Sequence, residues 1–330
     1  MYKRILSSSK IVSALVKSVR LPVRQRFNLV AILLAALSCG AISVLSFDRE
    51  PVQAQALVPH ALQINFGNLQ EQGLALARDA AQLAQFEQYD LALPRARLAV
   101  QLAPQSYQTQ AVLGSLYLRK EDYSKAIVAL AAAHNLKKDN PAVLFSLGAA
   151  YLRKGDYQSA IKSIKQGISI DPNEPTAIFD LGNAYFLSKR FDDAIGEFKR
   201  VVKLEKKFWA ATNNIGLVEY ERGNVDLAIK YWEESVKVAS DADDQAAEPK
   251  LALAVALYHK GDRVGGIKMG EAALKIDPRY GKLDFLKENL WGEKLLADTR
   301  NVLKESSIRQ LIGESKIPVK PNRRRSRPRP

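Results

Sequence analysis

The stretch LFSLGAAYLRKGDYQSAIKSIKQGISIDP, Leu144–Pro172, decides how this chain folds. Its apolar side chains recur at helical spacing on both sides of RKGDYQ (153–158), where Gly and Asp punctuate a turn. It reads as two antiparallel α-helices. The same text returns along the chain. Gly114, Gly148, Gly182 and Gly216 stand 34 residues apart, and Ala126, Ala160, Ala194 and Ala228 follow each of them after 12. Leu113, Leu147, Leu181 and Ile215 precede the glycines, Tyr117, Tyr151 and Tyr185 come three later, and Tyr123, Tyr157 and Phe191 keep the same register. Pro104 and Pro172 lie two periods apart. Self-similarity at a fixed period of this length marks an array of stacked repeats.

The unit follows from elementary packing. A small residue on each helix, bracketing the turn, lets the two axes approach near the ~8 Å end of the usual range. The Tyr or Phe beside the Ala fills the space between one pair and the next. A single pair cannot cover its own apolar face, so many pairs stack into a solenoid with a continuous core.

This pattern resembles the tetratricopeptide repeat family, whose motif carries LG-x-x-Y, then A, then P over the same period. The resemblance covers residues 73–280 and implies an all-α, right-handed superhelical solenoid of about six helix pairs. Clear units are expected at 107–140, 141–174, 175–208 and 209–246. A degenerate first unit, 73–106, has Ala80 in place of the Gly, with Tyr89, Ala92, Ala99 and Pro104 in register. A last unit, 247–280, has Ala254 at the Gly position and Gly266 at the Ala position. It arrives four residues late, and the acidic segment 241–248 is expected to form a longer loop that absorbs the difference. After the repeats, the apolar pattern of 283–303 predicts one amphipathic closing helix within a cap spanning 281–312, with Trp291 in its core.

Outside the repeats, charge and hydropathy divide the chain further. Of 49 Lys and Arg, seven fall in residues 1–27 and seven in 316–330, and neither segment holds an acid. The remaining cations balance the 35 acids, so the repeat body is neutral and lacks the basic footprint of a nucleic-acid-binding domain. After the basic leader, 1–27, residues 29–47 are free of charge, enough at about 1.5 Å per residue to reach across a ~30 Å hydrocarbon core. A transmembrane or signal segment is expected at 28–47 and a linker at 48–72. Cations on the N-terminal side keep that side cytoplasmic, so the repeats are expected in an exported compartment, periplasm or thylakoid lumen. The alternative is a soluble exported protein, cleaved at the A-x-A sequence Ala54-Gln55-Ala56. The proline- and arginine-rich tail, 313–330, is expected to be disordered. Its Arg323, Arg324, Arg325, Arg327 and Arg329 suit an anionic lipid surface or an acidic protein. The lone Cys39 excludes an internal disulfide.

Catalytic signatures are missing. No glycine-rich phosphate loop follows a strand, His60, His134 and His259 match no metal-ligand spacing, and acids alternate with lysines on solvated helix faces. The expectation is a non-enzymatic interaction protein without a cofactor or metal. In the family it resembles, the first helix of each pair lines a concave groove. Carried onto this chain, that places Arg119 in the second unit, Phe145, Leu152 and Arg153 in the third, and Phe179, Asn183 and Phe186 in the fourth. It adds Asn213, Asn214, Tyr220 and Glu221 in the fifth and Tyr258 in the last. Asn183 and Asn214, 31 residues apart, match a pair that grips peptide backbone in chaperone-binding relatives. The cations that accompany that pair are replaced by Phe179, Glu248 and Ala252, which argues against an acidic chaperone tail as ligand. Protein or peptide partners are expected, and an RNA-binding helical repeat is the alternative.

Overall fold

The computed structural model describes residues 66–240 and 247–314, and every described residue in them that belongs to a regular element is helical. The leader, the uncharged run 29–47, Ala56, the acidic residues 241–246 and the arginine tail from 315 lie outside the described residues. Six helix pairs follow one another: α1 (Phe66–Gln85) with α2 (Tyr89–Leu102), α3 (Tyr107–Arg119) with α4 (Tyr123–Leu136), α5 (Pro141–Lys154) with α6 (Tyr157–Ile170), α7 (Pro175–Leu187) with α8 (Phe191–Leu204), α9 (Trp209–Arg222) with α10 (Val225–Ser240), and α11 (Ala247–His259) with α12 (Arg263–Ile276). A 3-10 turn at Pro278–Gly281 leads to α13 (Leu283–Glu288), α14 (Glu293–Val302) and α15 (Ser306–Glu314). The result is a superhelical solenoid. First helices of successive pairs touch, α1 with α3, α3 with α5 and α5 with α7, which puts them on the tighter, inner side.

The hairpin turn is specified atom by atom. Asn140 caps α5 by accepting from the Val143 N–H at 3.1 Å, and Pro141 sits at the first helical position. Gly155 then takes a left-handed φ of 86° and ends the helix, its N–H donating to Leu152 O while the Asp156 N–H donates to Tyr151 O, both at 3.0 Å. The Asp156 carboxylate caps α6 by accepting from the Ser159 N–H. This left-handed residue recurs in every pair: Glu87, Glu121, Gly155, Lys189, Gly223 and Gly261. Three of the six carry a Cβ and hold φ near 60° against a steric cost.

Helix pairing depends on a contact that spans 16 residues. A Cβ on Gly114 would come 2.6 Å from Leu130 Cγ, one on Gly148 2.3 Å from Ile164 Cγ1, one on Gly182 2.5 Å from Phe198 Cε1, and one on Gly216 2.5 Å from Trp232 Nε1. Each glycine is thus the hole for a bulky knob on the partner helix, and Leu130, Ile164, Phe198 and Trp232 are fully buried. Where the glycine is lost, the knob shrinks with it. Ala80 is matched by Ala96, and Ala254 by Gly270. In the last pair a Cβ on Gly266 would fall 2.8 Å from Ala254 O, so the helices there approach more closely than an alanine allows. Gly266 is a fitted position, not a lapse of the repeat. The alanines 126, 160, 194 and 228 are buried as the period implies. Two apolar clusters, one from Ala80 to Ala150 and one from Ala160 to Val302, share Tyr151 as a half-buried neighbour.

Four features differ from the sequence reading. Helix α1 begins at Phe66, seven residues ahead of the expected first unit and inside the expected linker. Helix α11 begins at Ala247, so Glu248 is helical and buried at 9% exposure instead of belonging to a loop. The single closing helix is broken. Leu290 adopts φ 66° and Gly292 is the N-cap of α14, because a Cβ there would meet Glu221 Cδ at 2.2 Å. The amphipathic period runs through this break unchanged, since both fragments bury the same stripe: Leu286, Trp291, Leu295, Leu296 and Val302. Helix α15 carries ordered structure to Glu314, two residues into the segment expected to be a disordered tail.

Candidate functional site

The inner face of the solenoid holds a ladder of amides. Asn214 Nδ2 donates to Asn183 Oδ1 at 2.8 Å, and Asn213 Nδ2 donates to Asn214 Oδ1 at 3.2 Å and to Glu248 Oε1 at 3.1 Å. Adjacent first helices α7, α9 and α11 each contribute a rung. All four side chains are buried, Asn213 to 1% exposure. Glu248 also accepts from Trp291 Nε1 and Tyr280 Oη, each at 3.4 Å. Burial raises its carboxyl from 4.5 to about 7 despite those donors.

Above this ladder lies a cavity of about 510 Å³. Helix α5 contributes Leu152 and Arg153, α7 contributes Phe179, Asp180, Asn183 and Leu187, and Tyr157 opens α6 beside them. The chain's own residues Lys287–Leu290 form the opposite wall. Phe179 is fixed by aromatic neighbours, 5.6 Å from Phe198 and 5.1 Å from Phe208 between ring centroids. Burial raises the Asp180 carboxyl from 3.8 to about 6, with the Arg153 guanidinium pulling the other way.

The cavity brings together five of the expected groove residues, Leu152, Arg153, Phe179, Asn183 and Asn214. Asn213 lies under it, in the ladder. Arg119 lines a separate inner cavity of about 340 Å³ with Val112, Ser115 and Ala84. Phe145 rests on Gly167 of its own pair, where a Cβ would meet its ring at 2.5 Å. Phe186 is buried at 6% exposure and lines a second inner cavity of about 400 Å³ with Phe191 and Trp291.

The other three are engaged by the C-terminal helices. Tyr220 Oη donates to Asp298 Oδ2 at 2.7 Å. Glu221 accepts from the backbone N–H groups of Lys294 and Leu295 at 3.3 and 3.1 Å, capping α14. Tyr258 Oη donates to Glu305, which also holds Arg263 at 2.6 Å. Asp298, the first turn of α14 and Glu305 thus occupy the polar ends of these three side chains. Sequence reasoning passed over Asp180 and Lys287–Leu290, and took Glu248 only as a missing cation in a loop. Asp180 carried a signal, since it sits one residue from Phe179 on a helix otherwise uncharged from Pro175 to Leu187. Lys287–Leu290 carried none, because only the fold returns that segment to the inner face.

Among the described residues, no three His, Cys, Asp or Glu side chains converge as a metal site, and no helix is long and apolar enough to cross a membrane. The expected membrane span falls outside them.

Comparison with known proteins agrees with the period. A family model described as "Tetratricopeptide repeat" matches residues 151–213 and one described as "TPR repeat" matches 114–155. A third, for "ChAPs (Chs5p-Arf1p-binding proteins)", matches 12–134. No curated protein matches. Among solved structures, the one reported as a functional characterisation of Pseudomonas aeruginosa pilF is similar at 17% identity and TM-score 0.54, covering 68% of this chain and 99% of its own. The APC/C hetero-tetramer Cut9-Hcn1 is similar at 17% identity and TM-score 0.55, covering 72% of this chain and 45% of its own. A MamA crystal structure is similar at 20% identity and TM-score 0.48, covering 53% and 96%. At these identities the likeness is one of fold.

Proposed function

We propose that this chain, a tetratricopeptide-repeat protein, is an interaction scaffold that holds an extended segment of a partner polypeptide on the inner face of its solenoid. The observation that carries this reading is the cavity over the amide ladder. Asn183 offers an amide N–H of the kind a peptide backbone carbonyl pairs with, between the apolar walls of Phe179, Leu152 and Leu187. The rungs below are already hydrogen-bonded to one another, so the polar groups are held in place before a ligand arrives, which lowers the ordering cost of binding.

Residues 29–47 tether the scaffold to a membrane in this reading, with the repeats on the exported side and the five tail arginines near an anionic surface or an acidic protein. What supports it is the length of the uncharged run and the block of seven cations before it. Such a tethered scaffold serves to assemble or maintain a membrane or envelope complex. A soluble exported form is the second reading, favoured by the A-x-A sequence ending at Ala56. The mass of the mature protein in the membrane fraction separates the two: loss of the first 56 residues overturns the tether.

The groove itself is tested by affinity capture of the full chain from detergent-solubilised membranes, followed by mass spectrometry. Asn183→Leu keeps the branched shape and heavy-atom count of the side chain but removes both hydrogen-bonding groups. Loss of the captured polypeptides, with unchanged far-UV circular dichroism, is the expected outcome. An unchanged set of partners refutes the inner-face reading.

A further inference from the structure

We propose that the cavity between α7 and Lys287–Leu290 takes a basic side chain, a lysine or arginine of the bound polypeptide, with Asp180 as its anchor. The proposal rests on the inner-face reading above and names the chemistry of the partner.

Two unmet groups point into this cavity. Asp180 is half-buried on the inner face of α7, yet among the described residues no side chain or backbone group donates a hydrogen bond to its carboxyl and no ion pair forms with it. Its oxygens are not sealed from solvent, so this carboxyl is free to take a cationic partner at the cavity surface. Asn183, one turn further along the same helix, is 6% exposed. Its Oδ1 accepts from Asn214, while its Nδ2 donates to nothing among the described residues. A carboxylate and an amide N–H one helical turn apart present an acceptor for a cation and a donor for a backbone carbonyl, the two ends that a basic residue in an extended chain displays.

The walls fit the same guest. Lysine and arginine have apolar stems that need apolar contact up to the charged head. Leu152, Phe179 and Tyr157 line the cavity around Asp180, and the aromatic rings attract a cation beside them. The lining carries three carboxyls (Asp180, Glu248, Glu288) and two cations (Arg153, Lys287), with Glu248 engaged in the ladder below. Arg153 lies close enough to lower the Asp180 carboxyl but does not offset the effect of burial, so the carboxyl stays raised to about 6. Arg153 is exposed and makes no ion pair with Asp180, so the position beside the carboxylate is open to a guest.

The test uses the full-length protein and a positional library of capped peptides of about eight residues, with acetylated and amidated ends. Wild-type protein is expected to enrich lysine or arginine at one position by roughly tenfold, the size of one charge-assisted hydrogen bond. Asp180→Asn is expected to lose that enrichment while still retaining peptides. Because the carboxyl has no partner among the described residues, this variant is expected to keep its fold, checked by circular dichroism and melting temperature. An uncapped library separates side-chain recognition from capture of a free amino terminus: enrichment restricted to uncapped peptides overturns the proposal. Equal enrichment in Asp180→Asn, or peptides retained without any basic preference, also overturns it while leaving the inner-face reading intact. Failure of every peptide to bind overturns both.

Discussion

Replacing Glu248 by Gln is expected to make the chain more stable above neutral pH and to leave it unchanged in acid. Glu248 sits beneath the cap, 9% exposed, accepting from Asn213, Trp291 and Tyr280. Burial holds its carboxyl at about 7 in the folded chain, against 4.5 when unfolded. The folded state therefore binds the proton more tightly. Below pH 4.5 both states are protonated and the group contributes no penalty. Between 4.5 and 7 the unfolded chain ionises while the folded chain resists, so stability falls as pH rises, and above 7 the full penalty is present. A difference of about two and a half pH units, at 1.36 kcal/mol each, comes to about 3 kcal/mol. The glutamine side chain retains an acceptor for the Asn213 amide and never ionises. Urea unfolding of both proteins, followed by circular dichroism at pH 4.5 and pH 8, reads the effect. The stability advantage of the variant is expected to grow by about 3 kcal/mol between the two. A constant difference, or a variant weaker at both values, refutes the claim that an uncompensated buried charge sits under the cap.

Other outcomes follow from the packing. Gly148→Leu drives a side chain into Ile164, whose Cγ1 already stands 2.3 Å from the position of a Cβ, and is expected to cost ~1–3 kcal/mol or more in denaturant melts. Adding Ile164→Ala to that variant is expected to restore part of the loss, because it reopens the hole on the other side. Lys189→Gly and Glu121→Gly relieve left-handed backbone and are expected to stabilise by roughly 0.5–1 kcal/mol each, read as a raised urea midpoint. Trp291→Ala removes the buried wedge between α13 and α14 and is expected to cost about 3–5 kcal/mol, with the C-terminal helices exchanging amide protons faster than α3 to α6.

The repeat was legible in the linear text because its determinants are local. Helix periodicity, the Gly-Asp turn at 155–156 and the small residues at Gly148 and Ala160 all act within one 34-residue unit, and a unit needs only its neighbours to complete its core. The groove positions Arg153, Phe179, Asn183 and Asn214 were carried over from the family that the repeat resembles, and these four line one cavity. What the glycines accommodate was harder to see, since the matching residue lies 16 positions on and varies through Leu, Ile, Phe and Trp. Only its size is constrained, not its identity.

Tertiary structure alone decided what becomes of the inner face at the C-terminal end. Tyr220 and Glu221 carry the pattern of open groove residues, yet they bind Asp298 and the first turn of α14, more than 70 positions away. No spacing rule reports such a return, because it depends on the break at Leu290–Gly292, where a left-handed backbone and the close approach of Glu221 turn one amphipathic stripe into two helices. The same return places Lys287–Leu290 over Asp180 and Asn183 and so makes a walled cavity out of an open trough. Local periodicity specifies stacked hairpins, while closure of the groove is a long-range contact that exists only once the stack has formed.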